Sequence, residues 1–65
     1  MIVFGVEHGL RGYFAVCYNA ATSECIQTGI SSYDTPEAAA EEAIEWAESE
    51  NQNKQAEELR KKYNL

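Results

Sequence analysis

The segment Asp34-Thr35-Pro36-Glu37 divides this chain into two parts that must fold differently. After it, Ala40, Ala43, Ile44 and Ala47 recur at helical spacing, with Glu37, Glu41, Glu45 and Glu48 on the opposite stripe. Before it, apolar residues alternate or run in short β-branched and aromatic stretches, separated by glycine-bearing turns. The helix has two candidate starts. Thr35 can cap, with Pro36 in the first helical position, where its missing N–H costs nothing. Alternatively, Asp34 caps and Glu37 reciprocates. Either start predicts a helix over residues 36–50.

The first part reads as three strands, at residues 1–6, 13–18 and 24–30. His8-Gly9-Leu10-Arg11-Gly12 forms the first loop, because two glycines supply positive φ where the chain reverses. Asn19-Ala20-Ala21-Thr22-Ser23 forms the second. The expected fold class is therefore α+β: a three-stranded antiparallel meander packed on one long acidic helix (β-β-β-α), with a C-terminal helical extension. The expected core is Ile2, Phe4, Val6, Phe14, Val16, Ile26 and Ile30 under the alanine-rich stripe.

Asn51-Gln52-Asn53 interrupts the helical pattern, which resumes with Ala56, Leu59 and Tyr63. On one continuous helix Leu59 sits about 60° round from Ile44, and Tyr63 about 100°. The extension either turns away from the core or forms a second short helix after a bend. This divides the chain into a single domain at 1–53 and a charged helical tail at 54–65, whose removal is expected to leave the fold intact.

The net charge of −6 is unevenly distributed. Residues 1–33 carry −1, residues 34–53 carry −7 without a single base, and residues 54–65 carry +2. Phosphate affinity comes from Lys and Arg, so nucleic acid is disfavoured as a direct ligand. The acidic helix instead points to a protein partner with a basic surface, with Glu37, Glu41, Glu45, Glu48 and Trp46 as its contact residues. Trp46 is read as packing first and interface second, since tryptophan both fills core rims and anchors interfaces. No stretch is apolar enough for a membrane span. No basic leader precedes the first apolar run, so a cytoplasmic location is expected.

Chemistry-bearing residues are sparse. His8 beside Glu7 is the one acid–base pair in a loop, with no nucleophile placed nearby. Gly5, Gly9 and Gly12 lack the Lys-Ser/Thr of a phosphate loop and are turn glycines. Two cysteines and one histidine are too few for a structural zinc site. A second hairpin centred on Ala21 would set Cys17 opposite Cys25, yet a reducing compartment favours free thiols. No catalytic, cofactor-binding or metal residue is assigned, and a non-enzymatic binding module is expected.

One helix covers one face of a three-stranded sheet. The other face is expected to expose Val3, Tyr13, Ala15, Cys17 and Cys25, a patch of the kind that marks an interaction site. A chain of 65 residues has much to gain from burying such a patch, so a homodimer through this face or through the sheet edge is expected.

The run Tyr-Asp-Thr-Pro-Glu-Ala-Ala-Ala-Glu-Glu-Ala at 33–43, entering an acidic helix after three strands, resembles HicB-type antitoxin domains. It is also similar to small proteins of phages and mobile elements, including anti-CRISPR and other host-takeover inhibitors. The resemblance covers residues 1–50 and implies a small regulator or inhibitor that acts by binding another protein. The strand-to-helix spacing is longer here, the proline- and glycine-containing segment before the cap is missing, and so is the accompanying DNA-binding portion. No family site residue carries over. The competing expectation is a structural or assembly module whose function is its own oligomer.

Overall fold

The computed structural model describes residues 1–65. Three strands, β1 (Ile2–Gly9), β2 (Gly12–Asn19) and β3 (Glu24–Thr28), form an antiparallel sheet in the order β1-β2-β3. Two helices follow, α1 (Pro36–Ser49) and α2 (Asn53–Tyr63). Neither is long and apolar enough to cross a membrane.

The first hairpin is tighter than its glycines suggested. β1 continues to Gly9, which pairs with Gly12 and leaves only Leu10 and Arg11 in the loop. His8 is thus a strand residue, stacked on Tyr13 at 4.3 Å. The register pairs Phe4 with Cys17, Val6 with Ala15 and Gly5 with Val16. Directly paired residues of an antiparallel sheet share a face. Phe4, Ala15 and Cys17 therefore lie together on the helix side, while Val3, Phe14, Val16 and Tyr18 lie on the other.

This overturns the expected grouping of Phe4 with Phe14 and Val16, because a change of one residue in register moves every side chain to the opposite face. The expected open face fails for the same reason. Ala15 is 0% exposed, Cys17 is buried, and both belong to the core with Phe4, Ala43, Ile44, Ala47, Ala56 and Leu59. Tyr13 pairs with His8 on that same side. Ile2, Ile26 and Ile30, expected in the core, are exposed.

The second turn is built by side chains. Asn19 Oδ1 accepts from the Ala21 amide, the Asn19 carbonyl accepts from Ser23, and Ser23 takes φ 61°. β3 then pairs with β2 through a bulge: Cys17 faces Gln27, but Tyr18 faces Cys25, with Ile26 as the extra residue. Cys17 and Cys25 are consequently not opposite one another, and both are free thiols.

Thr35 caps α1, its hydroxyl accepting from the Ala38 amide at 3.3 Å, with Pro36 just inside the helix. The helix ends at Asn51, φ 61°, where the Asn51 amide donates to Glu48 and the Gln52 amide to Ala47. This is a left-handed cap of the Schellman kind, with asparagine in the glycine position.

α2 then folds back as a second helix on α1 and β1. Residues 54–65 are not a tail apart from the domain. Ala56 and Leu59 are buried in the same cluster as Phe4 and Ile44, with Tyr63 packed against it. The phase mismatch along the sequence is real only for a continuous helix, and the left-handed Asn51 removes that constraint.

Gln55 ties α2 to the outer edge of β1. Its Oε1 accepts from the Phe4 amide at 3.1 Å, and its Nε2 donates to the Ile2 carbonyl at 2.7 Å. The side-chain amide thereby does the work of a further strand.

A candidate partner-binding groove on α1

Tyr33 is positioned by the sheet rather than by the helix it precedes. Its amide donates to the Tyr13 carbonyl at 2.7 Å, and its carbonyl accepts from the Tyr13 amide at 2.8 Å. Gly12 makes this approach possible. Its φ is 129°, and a β-carbon there would collide with the Tyr33 carbonyl.

Two residues later Thr35 starts α1, so the Tyr33 ring lies along the first turns of the helix. Its hydroxyl donates to Glu42 at 3.0 Å. That bond to a carboxylate pushes the Tyr33 phenol above its ordinary range.

Between Tyr33 and Trp46 runs an open groove of about 450 Å³, lined also by Ala38, Glu41, Glu42 and Glu45. Residues 38, 42 and 46 follow one i,i+4 row of α1, and 41 and 45 the next. The small Ala38 leaves room between the two aromatic rings. Trp46 is half-buried and packs on the core cluster, so it is held in place while it lines the groove. Three carboxylates and two aromatic rings converge there, and no Lys, Arg or His lines it.

The expected contact residues divide accordingly. Glu41, Glu45 and Trp46 come together at the groove, whereas Glu37 and Glu48 do not line it. Glu37 is exposed in the first turn of α1. Glu48 pairs with Arg60 across the α1–α2 contact, both side chains being roughly half exposed. Glu42 and Ala38 had the same helical spacing as their neighbours and were legible on it. Tyr33 reaches the groove only through its long-range bridge to Tyr13, for which the sequence carries no local signal.

A second concavity, of about 430 Å³, lies between the sheet face turned away from α1 and the end of α2. Val3, Val16, Tyr18 and Cys25 line one side of it, and Leu59, Lys62 and Tyr63 the other. Of the residues expected to form the open face, Val3 and Cys25 are there; Tyr13, Ala15 and Cys17 are not.

Nowhere do three or more His, Cys, Asp or Glu side chains converge in a way that could hold a metal ion. The arrangement on α1 suits the binding of a cation-bearing side chain. Comparisons with protein-family models, with curated proteins and with solved structures gave no significant match to this chain.

Proposed function

We propose that this chain is a protein-binding module, and that it seats a basic side chain of its partner in the groove between Tyr33 and Trp46. The observation that carries this reading is the convergence of Glu41, Glu42 and Glu45 with two aromatic rings and no internal cation. A Lys or Arg entering there meets carboxylates along its charge and ring faces along its stem. A cation over such a ring is worth about 0.5–2 kcal/mol, depending on desolvation. The surrounding field of −7 over residues 34–53 steers a basic surface toward this helix before contact. Such a module acts as a regulator or inhibitor by occupying the basic surface of its target, in line with the likeness to small phage and mobile-element proteins.

Trp46 is the sole tryptophan, so its emission reports on the groove directly. Titration with a Lys/Arg-rich peptide is expected to shift or quench that emission. The response should weaken steeply with salt, since exposed charges are screened beyond about 8 Å at physiological ionic strength. It should be lost in the Glu41→Lys, Glu45→Lys double variant. A basic partner that binds without a change in Trp46 emission, or whose affinity ignores salt, overturns the assignment.

A further inference from the structure

The outer edge of β1 is only partly satisfied. The Met1 carbonyl accepts from the Ala20 amide, so the residue before β1 bonds across to the neighbouring chain. Alternation along an antiparallel pair then turns the N–H and C=O groups of Ile2, Phe4, Val6 and His8 away from β2. Gln55 bonds two of these groups from outside, the Ile2 carbonyl and the Phe4 amide, and reaches no further. The Phe4 carbonyl, both polar groups of Val6 and the His8 amide face outward, and no loop or side-chain bond reaches them. β1 runs without a bulge, and Ile2–Gly9 holds no Lys, Arg or Pro, the residues that natural sheets place on an edge to block further pairing.

This open stretch lies in a groove. The concavity of about 430 Å³ touches four consecutive residues of β1, Phe4 to Glu7, and also Leu59, Lys62 and Tyr63 of α2. Leu59 belongs to the core on the α1 side, whereas Val16 and Tyr18 lie on the opposite face. A cavity that touches both passes over the edge of β1, with the end of α2 as its far wall.

We propose that an extended segment of a partner protein enters this groove and joins the sheet as a fourth strand, antiparallel to β1. Main-chain bonds to a sheet edge give such a segment its affinity, and pockets for its alternate side chains give it specificity. Val6 exchanges both of its N–H···O bonds with one residue of the segment. That residue shares the face of Val6 and stands before Leu59 and Tyr63. Lys62 is the one cation lining the groove; it has no acidic partner, and its ammonium sits 5.5 Å from the centre of the Tyr63 ring. A glutamate therefore suits this position, with its stem along the ring and its carboxylate at the ammonium.

The next residue of the segment stands opposite Gly5, on the other face of the sheet. Gly5 has no side chain, and a β-carbon there would lie 3.9 Å from Val16. A bulky apolar side chain thus has room to cross Gly5 and rest on Val16. Glu7, the one acid on the groove, is on that same face and calls for an uncharged residue opposite it. The edge accordingly selects an uncharged residue, then an acid, then a bulky apolar residue. Gln55, already bonded to the Phe4 amide, marks where the segment ends. This groove and the acidic groove on α1 share no lining residue, so the two sites stand or fall separately.

The probe is the pentapeptide Thr-Thr-Glu-Ile-Thr, blocked at both ends, with its Glu placed for Val6 and its Ile for Gly5. Its addition to the isotope-labelled protein is expected to shift the β1 amide resonances. It is also expected to slow hydrogen exchange at Val6 and His8, whose amides face water in the free protein. Methylating the backbone nitrogen of the peptide Glu removes the donor to the Val6 carbonyl and is expected to abolish binding. Lys62 is exposed, so Lys62→Glu spares the core. This variant is expected to bind the peptide several-fold more weakly and to prefer a version with Lys in place of Glu. No response at millimolar peptide overturns the proposal. So does equal binding of the methylated peptide, unchanged exchange at Val6 and His8 in the complex, or a Lys62→Glu protein that still prefers the acidic peptide.

Discussion

Asn51 holds φ at 61°, a conformation in which an ordinary L-residue is strained. Its side chain tolerates the left-handed region better than most, and its amide and that of Gln52 satisfy the last carbonyls of α1. Asn51→Gly is expected to be neutral within a few tenths of a kcal/mol, and Asn51→Ala to cost about 1 kcal/mol. Urea denaturation of the three proteins checks this ordering. Equal stabilities would mean that the cap does not set the end of the helix. The two cysteines differ as sharply. Cys25 is exposed, while Cys17 is buried between sheet and helices. Burial first, then the nearby Cys25 and Glu50, pushes the Cys17 thiol above its ordinary range. A thiol reagent is expected to label one cysteine quickly in the native protein and the second only on unfolding. Two fast thiols would contradict the placement of Cys17.

At the scale of elements, α2 is part of the core. Leu59 fills the space between α1 and β1, so Leu59→Ala is expected to cost about 3 kcal/mol. Deletion of residues 54–65 removes Leu59 and Ala56 together and opens Phe4 and Ile44 to water. A truncated chain that keeps the native circular dichroism spectrum would contradict this packing.

The sequence made the strands, the Thr35 cap and the acidic row of α1 legible, because each is written in local chemistry: alternation, a capping hydroxyl, an i,i+4 repeat. Two features were not local. The parity of the first hairpin depends on whether its loop holds five residues or two, and Gly9 and Gly12 are compatible with both. That one choice decided whether Ala15 and Cys17 met the helices or solvent. The direction of α2 depended on Asn51 entering the left-handed region, which composition alone does not announce. The groove divides in the same way, with Glu41, Glu45 and Trp46 readable from helical spacing and Tyr33 set by a bridge to a residue twenty positions away.

For the molecule as a whole, stability rests on a thin core. The buried set is rich in alanine and contains no large side chain that is completely buried. A single core of this size supplies only about 3–5 kcal/mol. Small linked terms are therefore visible in its pH dependence. Cys17 and Tyr33 are both raised in the folded state, from 9.0 by burial for the thiol and from 10.0 by the Glu42 hydrogen bond for the phenol. A group whose folded pKa lies above its unfolded value binds its proton more tightly when folded. Its contribution is fully present below the unfolded pKa and is lost as pH rises through the folded one. The contribution of this pair should therefore hold through neutral pH and begin to fall as pH climbs through 9 and 10, the thiol first. Tyr33→Phe and Cys17→Ala each remove one of the two groups. Thermal melts of the double variant should show a shallower alkaline loss than wild type, even though the variant is less stable at neutral pH. Parallel curves for the two proteins above pH 9 would show that neither group carries the effect.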